Sequence, residues 1–304
     1  MKKLIVTFVA AATAMFLLVS CGGQKFETVP GDPMQTRIYT LDNGLKVYMS
    51  INKEQPRIQT NIVIRNGGKN DPADNTGLAH YLEHMMFKGT PTIGTSDYAA
   101  EKPLLDSIEA LFNVYRTKTD NAERLAIYHK IDSLSFEASK YAIPNEYDKA
   151  MALIGSTGSN ASTSEDRTSY TENIPSNQVE NWAKIQADRF KNLVLRGFHT
   201  ELETVYEEKN MYSVMESEKS TEAFMSLLFK NHPYGTQTVI GTTEHLKNPS
   251  MTAIKKQYST MYVPNNCAIC VAGDINPDEF MKIVEKYFGD WKPNPSVPAL
   301  NCKP

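Results

Sequence analysis

The sequence lacks features that mark two classes of protein. Beyond residue 19 it has no long apolar run, which argues against a polytopic membrane protein. It also lacks an excess of basic residues, since 32 Lys and Arg stand against 35 Asp and Glu, so no nucleic-acid partner is expected. With 304 residues, 41% of them hydrophobic, the chain is neither disordered nor fibrous and is long enough for one large or two ordinary globular domains.

The first 20 residues differ in character from the rest. Lys2 and Lys3 are followed by 16 uncharged residues, 4–19. This run is shorter than the roughly 20 residues that a membrane-spanning helix needs, whereas it fits the basic and apolar parts of a secretory signal. We therefore predict that residues 1–20 are a signal peptide and that the protein is exported.

The end of this segment, Leu18-Val19-Ser20-Cys21, resembles a bacterial lipobox. The resemblance implies cleavage before Cys21 and a lipid anchor on that residue, which would be the only contact with a membrane and would place the protein in the bacterial cell envelope. The alternative is an ordinary signal peptide with an incidental cysteine. Residues 21–35 are rich in Gly, Pro and polar residues and predict a flexible tether. Loss of Lys2 and Lys3 would change the net charge from −3 to −5.

Cysteine is scarce, at four residues, and two of the four lie three positions apart. Cys267 and Cys270 fall in a short apolar run that predicts a buried strand. Residues three apart on a strand face opposite sides, so a disulfide or a shared metal between them is sterically awkward. We interpret both as core residues, with a redox or zinc site as the alternative.

Helical and strand patterns mix without regular alternation along the chain. Asp42-Asn43-Gly44 predicts a hairpin turn, because Asn-Gly readily supplies positive φ angles. Apolar residues at helical spacing over 99–142, interrupted near Asp120, predict a helical hairpin. Residues 155–164 are small and polar and fit either a loop or an exposed edge strand. Other strands are predicted at 37–41, 45–50, 58–65 and 266–273, and other helices at 77–89, 145–154, 179–194, 201–215, 221–230 and 277–288.

This mixture indicates an α+β fold rather than a doubly wound sheet. We expect a two-layer, sandwich-like domain over residues 36–304, in which helices pack on a mostly antiparallel sheet. The helical hairpin at about 99–142 would be an insertion in that domain.

The most informative motif is His80-Tyr81-Leu82-Glu83-His84. At spacings of three and four residues, His80, Glu83 and His84 share one face of a helix. Two imidazoles one turn apart can bind one zinc ion while the carboxylate reaches a metal-bound water, as in the inverted zincin motif. The alternative is a partly buried helix whose histidines are held by hydrogen bonds.

A catalytic zinc ion usually has three protein ligands, so a third must come from elsewhere. Glu201 and Glu208 are the best candidates, because seven residues make nearly two helical turns and bring both to one face. One glutamate would complete a His₂Glu site, and the other could orient a ligand from the outer shell. Glu203 and Glu207 point elsewhere and are interpreted as a solvated face.

Taken together, these motifs resemble the pitrilysin or insulinase family of zinc metallopeptidases. The likeness runs from about residue 36 to 292. It includes the hairpin at 42–47, the stretch 158–163 as a substrate-binding strand, His232-Pro233-Tyr234-Gly235, and the last strand after residues 262–266.

The resemblance implies a zinc-dependent endopeptidase that binds one Zn²⁺ per chain and takes extended peptides as substrates. His80, His84 and Glu208 would be the zinc ligands. Glu83 would be the general base and Glu201 a supporting acid. In addition, Asn160 and Ala161 would pair with the substrate backbone.

Two departures from the family pattern accompany this likeness. His84 and Glu208 are 124 positions apart, farther than is usual, and the predicted insertion at 99–142 accounts for the excess. Full family members also join two similar halves, the inactive half contributing an arginine and a tyrosine, whereas this chain contains one half. The resemblance thus implies a second half as partner, in a homo- or hetero-oligomer. A non-catalytic or partner-dependent half that binds zinc and peptide is the alternative function.

Overall fold

Within residues 25–299, which the computed structural model describes, seven strands form one sheet at the centre of the molecule. Their order across the sheet is β1-β2-β3-β7-β4-β6-β5, and only the β3–β7 pair is parallel. The strands are β1 (Glu27–Thr28), β2 (Arg37–Thr40), β3 (Lys46–Ile51), β4 (Arg57–Ile64), β5 (Thr157–Thr163), β6 (Thr168–Pro175) and β7 (Cys267–Gly273). The predicted signal peptide and Cys21 lie outside the described residues, as does Cys302.

Eleven α-helices and three short 3₁₀ helices accompany the sheet in this part of the chain. They are α1 (Leu78–Met85), α2 (Tyr98–Thr117), α3 (Asn121–Ser139), α4 (Glu146–Leu153), α5 (Val179–Lys191), α6 (Phe198–Ser213), α7 (Glu216–Leu228), α8 (Pro233–Thr236), α9 (Thr243–Leu246), α10 (Met251–Met261) and α11 (Pro277–Phe288). None of these helices combines the length and apolar character of a membrane span.

The sheet is buried on one face, as its alternating side chains require. Val47, Ile269, Ile62 and Tyr170 lie side by side across β3, β7, β4 and β6, and all four are at most 2% exposed. Trp182 and Phe190 of α5 and Tyr81 of α1 belong to the same core. The predicted α+β fold with a mostly antiparallel sheet packed by helices is confirmed.

The predicted hairpin and the helical hairpin are also present. Strands β2 and β3 pair in antiparallel fashion around Gly44, whose φ is +87°. Helices α2 and α3 lie against each other, with Ile108, Phe112 and Ile131 buried. The two helices are therefore tied to the main core and do not project from it freely.

Strand β6 and helix α10 are the longest of the elements that were not predicted from the sequence. Strand β6 is mostly polar, yet its Thr168, Ser169 and Glu172 are buried. Its composition therefore gives no sign that it is an inner strand of the sheet. Helix α10 begins after Ser250, whose hydroxyl accepts a hydrogen bond from the Ala253 amide. That capping serine was a usable signal.

The two central cysteines behave as the strand pattern predicts. Cys267 is buried and Cys270 is half-buried on opposite faces of β7, and both are free thiols. Burial raises the pKa of each thiol, which disfavours the reactive thiolate. The arrangement fits core residues and not a redox pair.

Candidate metal centre

Helix α1 is held at its N-terminus by a buried carboxylate. Asp71 accepts hydrogen bonds from the backbone amides of Gly77 (2.8 Å) and Ala79 (3.0 Å) and from the side chain of Gln257 (3.0 Å). A negative charge beside the first turn satisfies free amides and favours the helix dipole. Burial nevertheless raises the pKa of Asp71 to about 7. The start of α1 is thus anchored to α10.

The other face of α1 determines which way its histidines point. Tyr81, Leu82 and Met85 are at most 2% exposed in the core, and helical geometry then directs His80 and His84 toward the surface. The side chains of these histidines are 12% and 22% exposed. Because the apolar face of α1 is buried, both imidazoles lie on the same side of the helix.

Helix α6 packs against α1 and supplies the acidic residues. The Tyr81 hydroxyl donates to the carbonyl of Phe198, and the two aromatic rings lie 4.8 Å apart. Val205 is fully buried and fixes the inward face of α6. Glu201 lies four residues before Val205 and Glu208 three residues after it. Both glutamates are therefore on this side of the helix, as their spacing predicts. Glu203 and Glu207 are exposed, also as expected.

Three donor atoms from these helices come together at one point. His80 Nε2 and His84 Nε2 are 3.3 Å apart, and they lie 3.7 Å and 3.5 Å from Glu208 Oε2. Ligand atoms bound at zinc distances in a tetrahedral site are separated by about 3.3 Å. Two imidazole nitrogens and one carboxylate oxygen also form a typical donor set for zinc. The residues present therefore fit a zinc ion, and within the described residues no other group of His, Cys, Asp and Glu meets the same geometric test.

The two histidines have different surroundings. Burial, with the neighbouring His84, lowers the pKa of His80 to about 4, so its ring is neutral at ordinary pH. Burial also acts to lower the pKa of His84, but the hydrogen bond and negative charge of Glu201 outweigh it, and the pKa of His84 is raised. His84 Nδ1 lies 2.8 Å from Glu201 Oε1, whereas His80 Nδ1 is buried without a hydrogen-bond partner within the described residues. Glu201 thus orients one ring and packing orients the other.

Glu201 is itself held by a residue that sequence reasoning missed. The Lys88 ammonium forms an ion pair with Glu201 Oε2, while His84 occupies Oε1. Burial favours the neutral carboxyl, but these two partners outweigh it and lower the pKa of Glu201. Lys88 lies beyond the end of α1 and 113 residues before Glu201, so no local spacing signals this contact.

Glu83, which is also on α1, lies beside the three donor atoms and is only 7% exposed. Burial raises its pKa, although a hydrogen bond from Thr163 acts in the opposite direction. The Thr163 hydroxyl donates to Glu83 Oε2 at 2.5 Å. Thr163 is the last residue of β5 and belongs to the stretch 158–163 that resembles a substrate-binding strand, but its contact with Glu83 was not predicted. The end of that strand meets the candidate base.

Strand β5 is an edge of the sheet, the second of the two alternatives for residues 155–164. Among the strands of residues 25–299 it pairs with β6 alone, where Asn160 lies opposite Thr171 and Ala161 opposite Tyr170. Asn160 is exposed and Ala161 is half-buried. A cleft of about 740 Å³ opens beside this strand and is lined by His80, Glu208 and Thr163 together with residues of α7 and α8.

Comparison with known protein families gives two matches. A family profile described as "Insulinase (Peptidase family M16)" matches residues 46–115 and 117–242, and one described as "Peptidase M16 inactive domain" matches residues 250–304. An uncharacterized zinc protease, YmxG, from Bacillus subtilis is 24% identical over 254 residues, which are 84% of this chain and 50% of that protein.

Two further matches extend the likeness. A probable mitochondrial-processing peptidase subunit beta from Schizosaccharomyces pombe is 24% identical over 273 residues, 88% of this chain and 48% of that protein. The crystal structure of the periplasmic protease PqqL from Escherichia coli shares the fold, with a TM-score of 0.67 at 18% identity over 90% of this chain and 26% of that one.

The chain spans about half the length of the curated relatives it matches. The insulinase profile, by contrast, covers well over half of this chain and includes α1, β5 and α6, the elements that build the candidate metal centre. The chain belongs to the insulinase family, peptidase family M16.

Proposed function

We propose that this protein is a zinc-dependent endopeptidase that hydrolyses extended peptides or unfolded polypeptides. The observation that carries the proposal is the convergence of His80 Nε2, His84 Nε2 and Glu208 Oε2 within 3.7 Å of one another. Membership of a peptidase family whose relatives include zinc proteases supports it.

In this proposal His80, His84 and Glu208 hold one zinc ion. Zinc in such a site acts as a Lewis acid that lowers the pKa of water and polarises a carbonyl group. Glu83 takes a proton from the attacking water and passes it to the leaving amine. Burial raises the pKa of Glu83, which makes its carboxylate a better proton acceptor than that of an exposed glutamate. Glu201 keeps His84 in its ligating orientation, and Lys88 keeps Glu201 charged.

The substrate would add to β5 as a further strand. The outer side of this strand is unpaired within the described residues, and most of its side chains are exposed. Addition of a strand to such an edge satisfies the backbone of an extended peptide with little dependence on its side chains. The backbones of Asn160 and Ala161 would form these bonds, leading the peptide toward Thr163 and Glu83. The requirement for extended backbone favours unfolded substrates.

The remaining parts of the proposal concern the whole protein. We propose residues 36–304 as the peptidase domain, residues 1–20 as a signal peptide and residues 21–35 as a tether from a lipid anchor at Cys21 in the cell envelope. The PqqL relative is described as periplasmic, which supports export. Because the chain spans half of its relatives and one relative is described as a subunit, a second family half is the proposed partner.

A quenched-fluorescent peptide assay tests the activity. The chain is assayed alone and mixed with a chain that corresponds to the other half of its relatives, before and after removal of zinc by a chelator. Cleavage that disappears with the chelator and returns with added zinc is the expected result. Cleavage unaffected by zinc removal, or a purified chain that binds no zinc, would overturn the proposal.

The same assay addresses the second candidate function, a zinc- and peptide-binding half that needs a partner to catalyse. The observations that favour it are the half-length of the chain relative to its relatives and the inactive-domain profile at 250–304. Cleavage only in the mixture would establish the partner-dependent form. Cleavage by the chain alone would establish an autonomous peptidase.

A further inference from the structure

Strand β5 contains a bulge just before the residues proposed to pair with substrate. Thr157 lies opposite Asn173 and Asn160 lies opposite Thr171, so three steps on β5 match two on β6. Gly158, within the bulge, has a φ of +65°. Bulges bend an edge strand and change the direction in which it presents its backbone. The placement of Asn160 and Ala161 therefore depends on what holds this bulge.

A buried carboxylate on β6 holds it. Glu172 lies between the two paired positions and is 2% exposed. Its Oε1 accepts a hydrogen bond from the Ser159 hydroxyl and its Oε2 one from the Ser156 hydroxyl, each at 2.8 Å. Hydrogen bonds to an ionised acceptor are stronger than neutral ones and fix geometry. The two serines flank Gly158, so the carboxylate clamps the bulge on both sides.

The same carboxylate is linked to the helix of the candidate metal centre. The Tyr147 hydroxyl donates to Glu172 Oε1 at 2.8 Å and accepts a hydrogen bond from Arg189 Nη1 at 2.7 Å. Arg189 Nε donates in turn to the carbonyl of Met86, the C-cap residue of α1, at 2.9 Å. The guanidinium is fixed among aromatic rings, at 4.2 Å from the centre of Phe87. A continuous buried network thus joins the bulge of β5 to the end of α1.

We propose that Glu172 is a positioning residue for extended peptide substrates. It holds the bulge of β5 so that the edge at Asn160 and Ala161 keeps one register relative to His80, Glu83 and His84. This inference rests on the proposed function, because it concerns how that site takes up a peptide. Glu172 does not touch the reacting atoms and acts through Ser156 and Ser159.

A network with only a structural role would have the same contacts, so the test must separate stability from peptide binding. Ser159→Ala removes one hydroxyl from an exposed position of β5, where a substitution should leave the fold intact. Ser159→Thr restores a hydroxyl. Ser259→Ala is the matched control, because its exposed hydroxyl also makes one hydrogen bond, to the carbonyl of Lys256 on α10, away from the site.

The first measurement is the affinity of a fluorescent extended peptide, by anisotropy, in a Glu83→Gln background that prevents cleavage. Loss of one hydrogen bond worth about 1 kcal/mol predicts that Ser159→Ala weakens binding about fivefold. Zinc content and the urea midpoint should stay at parent values. Ser159→Thr should recover most of the affinity, and Ser259→Ala should not change it. In chains that retain Glu83, KM should rise while kcat changes little.

The second measurement is hydrogen exchange of the β5 amides, which needs neither activity nor peptide. Ser159→Ala should speed exchange over residues 158–163 and leave α1 unchanged. Glu172→Gln, which replaces one acceptor oxygen by a donor, should speed exchange more than Ser159→Ala does. The double variant should exchange little faster than Glu172→Gln, because both substitutions act through the hydrogen bond between Ser159 and Glu172.

The outcomes separate this inference from the proposed function. Parent-level peptide affinity and exchange in Ser159→Ala would overturn the positioning role while leaving zinc-dependent cleavage in place. Equal losses in Ser159→Ala and Ser259→Ala would overturn it as well. A third outcome is that Ser159→Ala speeds amide exchange but the parent chain binds no peptide. Glu172 would then remain the clamp of the bulge, while its role toward substrate and the proposed function would both be overturned.

Discussion

Two neighbouring parts of the molecule carry apolar residues at helical spacing but use them differently. Helix α1 and the first half of α6, up to Val205, bury theirs, and most of the residues of α1 are below 9% exposure. Helix α7, which follows α6 directly, has no buried residue, and its Phe224, Leu227 and Leu228 are 62%, 71% and 58% exposed. The comparison shows that periodicity alone does not determine whether a helix is held in place.

The difference bears on the candidate site, because the two regions line the same cleft. The metal-binding candidates lie on helices that are anchored at several points, by Asp71, by Tyr81 and by the Glu201–Lys88 ion pair. Helix α7 forms one wall of the cleft but relies on weaker ties, such as the 3.6 Å pair between Lys209 and Glu222. The helix that carries the candidate ligand Glu208 and this more weakly held wall are thus separated by only two residues, 214 and 215.

The sharpest test of this contrast exchanges a carboxylate for an amide in each region. Glu83→Gln on α1 should lower kcat/KM for a quenched peptide about 10²–10⁴-fold, the usual contribution of a general acid–base group, because the amide cannot accept the proton. Glu216→Gln on α7, at an exposed position, should change it by no more than about twofold. Zinc content, measured on both purified variants, should match the parent. If the Glu83 variant cleaves at the parent rate, Glu83 is not the base.

A second test compares two adjacent residues of α6. Glu208→Gln should weaken zinc binding by more than the roughly 10–100-fold that is typical of changes in the outer shell, because it removes a direct donor. Glu207→Gln, one residue earlier and exposed, should leave zinc binding at the parent level. Titration with zinc against a competing chelator measures both affinities. Equal affinities in the two variants would remove Glu208 from the proposed ligand set.

The placement of the site residues within each helix was predictable, since the relevant spacings are local. His80, Glu83 and His84 lie within two turns of one helix, and Glu201 and Glu208 share a face of another. The Asn-Gly turn predicted the first hairpin for the same reason, because the conformation of Gly44 is a local property. Bringing α1 and α6 together required the family resemblance, because 124 positions separate His84 from Glu208.

The contacts that support the site were not predictable in this way. Lys88 meets Glu201 and Thr163 meets Glu83 across separations of 113 and 80 residues, and neither pair shows a local pattern. Strand β6 was missed because buried polar residues such as Glu172 conceal its alternation. A buried polar side chain such as Glu172 needs specific partners, and partners distant in sequence become apparent only in the folded chain.

The contrast between buried and exposed helices also predicts unequal costs in stability. Leu82→Ala on α1 removes a fully buried side chain and should lower the free energy of unfolding by about 2–5 kcal/mol, since it leaves a cavity. Leu227→Ala on α7 should change it by no more than about 0.5 kcal/mol. Urea denaturation of both variants measures the difference. A large loss in the Leu227 variant would show that α7 is held more firmly than its exposure indicates.

The last test compares acidic residues near the starts of α1 and α7. Because the folded-state pKa of Asp71 is raised to about 7 from 3.8, the folded protein binds this proton more tightly than the unfolded chain does. The stability contributed by the protonated group is complete below pH 4 and is lost as the pH rises to about 7, by about 1 kcal/mol per pH unit.

Subtracting the unfolding free energy of Asp71→Asn from that of the parent should therefore give a difference that falls across this window and is flat above it. Glu218→Gln, in the exposed first turn of α7, should leave the slope of the parent unchanged. A difference for Asp71→Asn that does not vary with pH would show that its hydrogen bonds from Gly77, Ala79 and Gln257 keep the carboxylate ionised despite burial.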